Sequence, residues 1–325
     1  MDQKGYIMSG LAMLLVIPAF LLIAVFVDMV HMGSQTQSLA VQSDVIFYTA
    51  KDIEDNIPIL TEKVLQKTTD NVVKTGIPLT DSRNTIGNDL QKEVDQLSER
   101  YRNSGNINVT CRIWSVNPTS DPFKIEVNST VYVQKGNVAH DEHISQNISI
   151  IDPSYPIQDP LPFIKCKSYG EITNTSTKIF YGSSLAKMLK DKHIKNAGIY
   201  ENATSPLFIK KCPYDPYINH GNSFHFVVLK NCIDNGYFHE SSDGSCFLCR
   251  LEGKAVCYHY GFETFIVPSN SSDSRLMYAP CSIEHVIFDD HTYSGKGIVY
   301  YSNGSNYFKL FLDNGHRQKY GLSKY

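Results

Sequence analysis

The chain has 325 residues, with 30 basic and 33 acidic side chains and a formal net charge of −3. This balance gives no reason to expect nucleic acid as a partner, and the length is enough for one or two domains of ordinary size. The sequence contains no P-loop, Rossmann fingerprint, G-x-S-x-G elbow or H-E-x-x-H motif. We therefore expect a protein that is not an enzyme.

An uncharged apolar stretch near the N-terminus dominates the sequence. Residues 6–27 contain no charged side chain, and as a helix they reach about 33 Å, enough to cross the roughly 30 Å hydrocarbon core of a bilayer. A buried core helix seldom runs this long without a charge, and a cleavable signal peptide usually has a shorter apolar region and a small-residue cleavage site. Residues 1–33 are therefore predicted to be a leader and transmembrane anchor, with the lipid bilayer as partner.

The charges that flank the anchor predict its orientation. Lys4 precedes it, and no lysine or arginine follows until Lys51. The positive-inside rule then places the N-terminus in the cytoplasm and the C-terminal part outside, as in a single-pass protein of the cell membrane. All eight cysteines follow the anchor, an even number that suits an oxidising compartment.

Seven N-x-S/T sequons also follow the anchor, and each is a candidate glycosylation site. Their asparagines are Asn108, Asn128, Asn147, Asn174, Asn202, Asn270 and Asn303. The first three fall on the polar face of predicted strands, where a glycan would not disturb a core.

The leader Met-Asp-Gln-Lys-Gly before Tyr6 and the apolar run resembles the N-terminus of type IV prepilin-like proteins, including those with archaeal class III signal peptides. The proline-centred run around Pro18 resembles TadE-like pilus-associated anchors. The resemblance, confined to about thirty residues, implies cleavage between Gly5 and Tyr6 and pilus or surface-assembly proteins as partners. Gly10 stands where pilins carry an acidic residue that sets subunit register, which argues against a major filament subunit.

Residues 34–105 are predicted to form a helical stalk. Apolar residues recur at intervals of three and four from Ile46 to Val64 and again from Ile86 to Tyr101. Pro58 lies inside the first stripe, so we expect a kink or break near residues 56–57. The Gly-Ile-Pro sequence beginning at Gly76 predicts a helix end.

Residues 106–151 alternate apolar and polar side chains with period two, which predicts a small antiparallel sheet with one buried face. A long helix packed on such a sheet is also the general plan of pilin-like ectodomains. Residues 152–162 contain four prolines and are predicted to be an extended linker and domain boundary.

Residues 163–325 hold seven of the eight cysteines and many short apolar runs, and are predicted to form a Cys-rich, β-rich outer domain, giving an α+β protein overall. We expect a helix over 184–194. Strands are predicted near 224–229, 262–267, 283–288, 298–301 and 307–312. The Asn303-Gly304 pair predicts a hairpin turn between the last two.

The chemically richest segment lies between Cys232 and His259. Disulfide bonds that staple a loop-rich domain are the favoured interpretation. The alternative is zinc, bound by Cys246, Cys249 and Cys257 with either Cys232 or His259 as the fourth ligand. Further cysteines predicted to form disulfides are Cys111, Cys166, Cys212 and Cys281.

A metal-dependent surface hydrolase is one alternative function, and a membrane-anchored ligand-binding module unrelated to pili is another. Cys249 next to Arg250 is also a candidate nucleophile. The residues available for a metal-dependent site are His220, His225, His239, Glu240, Asp243, His259, Glu263, His285, Asp289, Asp290 and His291. Taken together, the sequence predicts a non-catalytic, pilin-like or pseudopilin-like structural or adhesive component of the cell surface, without a cofactor.

Overall fold

The computed structural model describes residues 3–194, 197–221, 226–269, 281–289, 299–302, 309–312 and 314–322. They form an α+β structure with a long apolar N-terminal helix and small antiparallel sheets, as the sequence predicts. The β-rich character predicted for residues 163–325 is only loosely met, because short helices alternate with short strands there.

Helix α1 spans Gln3–Thr75 and is continuous through both Pro18 and Pro58. With 73 residues it is about 110 Å long. The helix is not interrupted near residues 56–57, where a kink or break was expected. Ile53 and Ile57 are both buried there, so packing on the rest of the protein holds the helix across the one hydrogen bond that proline removes.

Helix α1 has two parts with different surroundings. One segment is long and apolar enough to cross a membrane, and its side chains are exposed, as Leu14 and Leu22 are at 71%. From Ile46 onward the predicted apolar stripe is buried against the rest of the protein. The helix therefore continues without a break from an apolar, unpacked segment, through residues 28–45, into the hydrophobic core.

Helix α2, Ser82–Gly105, packs on α1 and on the first strand of the sheet. Its predicted stripe is confirmed, since Ile86, Leu90 and Val94 are fully buried. The helix end predicted at Gly76 is also confirmed, since α1 ends at Thr75. Gly76 has a φ of +70° just after the end of α1, a conformation that glycine adopts without strain.

Asp81 caps α2, because its Oδ1 accepts a hydrogen bond of 3.0 Å from the backbone N–H of Asn84. We expect Asp81→Ala to lower the free energy of unfolding by about 1 kcal/mol, since it removes the acceptor for an otherwise unpaired helical N–H. Urea denaturation measures this change. Glu99→Ala, at an exposed position of the same helix, is the control and should stay within about 0.5 kcal/mol of wild type. Equal losses in the two variants would contradict the cap.

Three long strands form the predicted antiparallel sheet in the order β1-β2-β3. They are β1 Asn108–Pro118, β2 Lys124–Lys135 and β3 Val138–Ser149. Alternate residues such as Val109, Val127 and Ile148 are buried against α1 and α2. The first part of the structure is therefore a long helix, a second helix and a three-stranded sheet that share one core.

The rest of the chain consists of short elements. Its helices are α3 Leu161–Cys166, α4 Ser184–Asp191, α5 Phe226–Asn235, α6 Phe247–Leu251, α7 Glu284–Phe288 and α8 Asn314–Lys319. Its strands are β4 Thr173–Asn174, β5 Lys178–Phe180, β6 Thr204–Pro206, β7 His239–Ser241, β8 Gly261–Glu263, β9 Phe265–Ile266, β10 Cys281–Ile283, β11 Val299–Ser302 and β12 Lys309–Leu312. They form the antiparallel sheets β4-β5-β6 and β7-β8, and a mixed sheet β11-β12-β10-β9 in which β10 and β12 are parallel.

Two of the strands predicted in this part are wrong. The run near 224–229 enters helix α5, and most of the run at 283–288 is helix α7. Short apolar runs look the same in a buried strand and a buried helix, so periodicity does not separate them. The helix predicted over 184–194 begins at Ser184 but ends at Asp191. The run near 262–267 forms β8 and β9, and strands are also found near 298–301 and 307–312. The hairpin turn at Asn303-Gly304 lies outside the described residues.

Core contacts cross the predicted boundary at residues 152–162. One hydrophobic cluster contains sheet residues together with Phe247, Leu248 and Phe262, and the rings of Phe123 and Phe262 stack at 5.3 Å. Within the proline-rich segment, Asp159 is fully buried. The Cys-rich part, which we call the head, is therefore packed directly against the sheet.

Candidate metal centres

Four buried side chains, Cys212, His220, Cys232 and His239, form the group that we call site A. Cys232 lies on α5 and His239 begins β7, while the other two lie in the loops before α5. The sulfurs of Cys212 and Cys232 are 3.4 Å apart, and the Cys212 sulfur is 3.5 Å from His220 Nε2. The four ligand atoms all lie within 4.8 Å of one another.

The separations in site A fit tetrahedral coordination. Zinc–sulfur and zinc–nitrogen bonds of about 2.3 and 2.05 Å place two sulfurs about 3.8 Å apart and a sulfur about 3.5 Å from a nitrogen. Among the described residues, Nδ1 of His220 has no hydrogen-bond partner, and the ring nitrogens of His239 have none except the Cys212 thiol of the same site. Buried imidazoles are normally paired, so these nitrogens suit metal ligands.

The two thiols of site A also have different acidities. The pKa of Cys212 is lowered to about 3, chiefly because its sulfur accepts a hydrogen bond from Cys232. The pKa of Cys232 is raised by the same contact. One thiolate, the form that binds metals, is therefore favoured in the site.

Site B consists of Cys246, Cys249, Cys257 and His259. Cys246 directly precedes α6, and Cys249 lies within that short helix. His259 Nδ1 lies 3.6 and 3.5 Å from the sulfurs of Cys246 and Cys249, and the Cys246 N–H donates to the Cys257 sulfur at 3.4 Å. These separations again match a tetrahedral zinc site.

Site B also contacts helix α2. Arg83 Nη2 donates to His259 Nε2 at 2.9 Å, and Ser82 donates to Glu252 through its N–H and its hydroxyl at 3.1 and 2.8 Å. A guanidinium only donates, whereas an imidazole bound to metal through Nδ1 carries its proton on Nε2. Metal binding through His259 therefore requires Arg83 to turn away from the ring.

Among the described residues, the cysteines form no disulfide bond. Five of them lie in sites A and B. The other three, Cys111, Cys166 and Cys281, belong to three different hydrophobic clusters and pack as small apolar side chains. Disulfide pairing of these cysteines stays a prediction.

Arg250 has a structural environment that the sequence did not indicate. Its side chain is fully buried and makes two hydrogen bonds to Asp159, at 3.0 and 2.6 Å, and one to Glu284. Its guanidinium also lies 4.7 Å from the centre of the Phe262 ring. The guanidinium is thus engaged by two carboxylates. The pKa of the neighbouring Cys249 is raised, chiefly by its hydrogen bond to Cys246, which does not favour a nucleophilic thiolate.

The remaining residues that the sequence offers for a metal-dependent site do not lie in sites A or B. Asp243 is exposed, and Glu240 forms an ion pair with Lys211 at 2.6 Å. Glu263 and His285 approach each other, and Asp289 is half-buried at the end of α7. His225, Asp290, His291, Asn270 and Asn303 lie outside the described residues.

The sequon asparagines differ in exposure. Asn128 is half-buried and its amide donates to Ser115 and Glu126 at 3.1 and 2.9 Å. The exposed ones are Asn108, Asn147, Asn174 and Asn202.

Gly5 and Tyr6, the predicted cleavage site, lie in the first turns of α1. Glycosylation and cleavage stay predictions.

Comparison of the chain with protein-family models, with curated proteins and with solved structures finds no match.

Proposed function

We propose that this protein is a membrane-anchored cell-surface component of pilin-like plan, structural or adhesive in function, whose head is stabilised by zinc at sites A and B. The observation that carries the proposal is helix α1, which continues from an exposed apolar segment into the core of the sheet. Such a helix suits a lipid environment at one end and a folded domain at the other.

The orientation follows from the flanking charges. Lys4 lies before the apolar segment, and the next basic residue, Lys51, lies well beyond it, which favours a cytoplasmic N-terminus. The head then lies outside the cell, where four exposed sequon asparagines are available to a glycosylation system. Gly10 in place of an acidic residue favours an accessory or pseudopilin-like role over that of a major filament subunit.

Zinc at sites A and B accounts for features that disulfides leave unexplained. Each site combines sulfur and imidazole donors at tetrahedral separations, and Cys2His2 and Cys3His are common structural zinc sets. Coordination also protects thiolates from oxidation, which matters for a head outside the cytoplasm. In both sites four protein ligands complete the tetrahedron, so we assign them a structural role.

The anchoring and processing are tested on the full chain expressed in a host that carries a prepilin peptidase. We expect the protein in the membrane fraction, resistant to carbonate extraction, with an intact mass that lacks the first five residues. Protease added to whole cells should degrade the head. Gly5→Leu should retain the leader, whereas the control Gly33→Leu, at a helical position with open space around it, should be processed normally.

A full-length chain that is found in the soluble fraction with Met1 intact would refute the proposal. A chain that stays in the membrane with its leader uncut would retain the anchor and refute the pilin-like part.

A further inference from the structure

A third group of metal-ligating side chains, separate from sites A and B, lies in the head. Glu263 ends β8, His285 lies on α7 and His316 lies on α8, and all three are buried. Glu263 Oε2 is 3.1 Å from His316 Nε2 and 3.7 Å from His285 Nδ1. The three ligand atoms lie within 4.8 Å of one another, and we call this group site C.

We propose that site C binds a divalent transition metal through two imidazoles and one carboxylate oxygen, with at least one coordination position left for water or a small anion. Ligands about 2.1 Å from a metal are about 3.0 Å apart in cis positions of an octahedron and about 3.4 Å apart in a tetrahedron. The separations of 3.1 and 3.7 Å bracket the tetrahedral value, so small side-chain movements suffice to accommodate the ion.

His285 supplies an independent reason for a ligand at this place. It is 3% exposed, and among the described residues neither of its ring nitrogens has a hydrogen-bond partner. A buried imidazole without hydrogen-bond partners carries an uncompensated desolvation cost. A metal ion at site C would satisfy one of these nitrogens.

The surroundings of Glu263 hold its carboxylate in place. Oε1 accepts hydrogen bonds from Lys319 Nζ at 2.8 Å and from the Tyr320 hydroxyl at 2.6 Å. Oε2 accepts one from the Ser241 hydroxyl at 2.6 Å and one from His316 Nε2 at 3.1 Å, and a metal bound to His316 Nε2 would replace the latter bond. Hydrogen bonds of this kind orient carboxylate ligands in metal sites. The same contacts also satisfy the carboxylate without a metal, so a purely structural ion-pair network is the competing interpretation.

Site C lies next to site A. Strands β7 and β8 pair His239 directly with Glu263, and the Tyr320 ring lies 5.2 Å from the His239 ring while its hydroxyl bonds to Glu263. The two sites therefore share a wall, but their donor sets differ. Site C lacks thiolate, and a set of two histidines and one carboxylate is typical of zinc or non-haem iron centres with open positions.

Cobalt(II) titration of the metal-free full chain in detergent tests the proposal, because only sites A and B can give thiolate-to-cobalt charge-transfer absorption. We expect three equivalents to bind, of which two develop that absorption and one adds only weak visible bands. Azide, used as a small anionic probe, should alter the bands of the third cobalt alone. A wild-type stoichiometry of two, both with charge transfer, would show that site C is an ion-pair network and overturn the proposal.

Single substitutions identify the ligands. His285→Gln should lower the stoichiometry from three to two and leave the charge-transfer absorption unchanged, which also reports that the head is folded. His143→Gln, at an exposed position of β3, is the matched control and should bind three. Three equivalents in His285→Gln would overturn the assignment of this ligand. If a variant does not fold, the number of cobalt equivalents bound by the wild-type protein still decides whether site C binds a metal.

The outcome for site C is distinct from that for the zinc-stabilised head. Absence of charge transfer with one equivalent bound would remove zinc from sites A and B and leave site C standing. Unchanged cobalt bands on addition of azide would mean that site C is closed to small anions, which would overturn the open coordination position.

Discussion

Replacing Arg250 with methionine should lower the free energy of unfolding by about 3–5 kcal/mol. The guanidinium is the partner of two buried carboxylates, Asp159 and Glu284, and both oxygen pairs lie in an environment without solvent exposure. Burial raises the pKa of Glu284 to about 8, so near pH 7 the charge that the guanidinium balances is chiefly that of Asp159. Methionine fills a similar volume but leaves this charge uncompensated, and burying an unpaired charge is among the costliest changes in a core. Urea denaturation of the variant in detergent measures the loss.

Two further variants separate the electrostatic effect from the loss of packing. Arg100→Met, at an exposed position of α2, should stay within about 0.5 kcal/mol of wild type. Adding Asp159→Asn and Glu284→Gln to Arg250→Met should recover part of the loss, because neutral amides cost less to bury than unpaired carboxylates. If the triple variant is no more stable than Arg250→Met, the explanation by uncompensated charge is wrong.

Removal of zinc should have an equally large effect on the head. Structural zinc sites bind with apparent free energies of about 10–16 kcal/mol, part of which stabilises the folded chain. If zinc removal lowers the free energy of unfolding by about 5 kcal/mol, Tm should fall by about 10–20 °C. Treatment with a strong chelator under anaerobic conditions, followed by thermal unfolding, measures the change, and added zinc should restore it.

Cysteine variants identify the bound sites. Cys249→Ser should lose one zinc equivalent and destabilise the head, whereas Cys111→Ser, at a buried cysteine outside both sites, should keep both equivalents. The disulfide interpretation also predicts that Cys249→Ser is destabilising, but with no zinc bound to the wild-type protein. A Tm that falls with a reductant but not with a chelator, with no zinc in the purified protein, would eliminate sites A and B as metal centres.

The elements that could be predicted are those with a long regular pattern. The apolar segment, the stripe beginning at Ile46, helix α2 and the three strands repeat a period over many residues, and their burial follows it. In the head each apolar run is only a few residues long, so its conformation depends on distant contacts. Helix α7 carries Glu284 and His285 into the core, and no regular spacing of apolar residues in its sequence indicates that these two side chains are buried.

The candidate sites follow the same rule. Site B was accessible from the sequence because its four ligands lie within fourteen residues, from Cys246 to His259. Site A was missed as a set, because Cys212 and Cys232 are brought together only by the folding of the loop before α5. The sequence does not identify His316 as a candidate ligand, because it lies in a polar stretch that does not predict burial.

If the apolar segment lies in a bilayer, as we propose, the unbroken course of helix α1 has a mechanical consequence. About 18 residues separate the end of the apolar segment at Val27 from Ile46, where packing begins, so a stiff rod of roughly 27 Å sets the stand-off of the head from the lipid surface. This rigid helical segment fixes the tilt and the azimuth of the head relative to the apolar segment, which a flexible linker would not do. Deleting seven residues from it lowers the head by about 10 Å with nearly the same azimuth, whereas deleting five swings the head to another side of the axis. A pull on the head is transmitted along the backbone hydrogen bonds of a single helix to the bilayer.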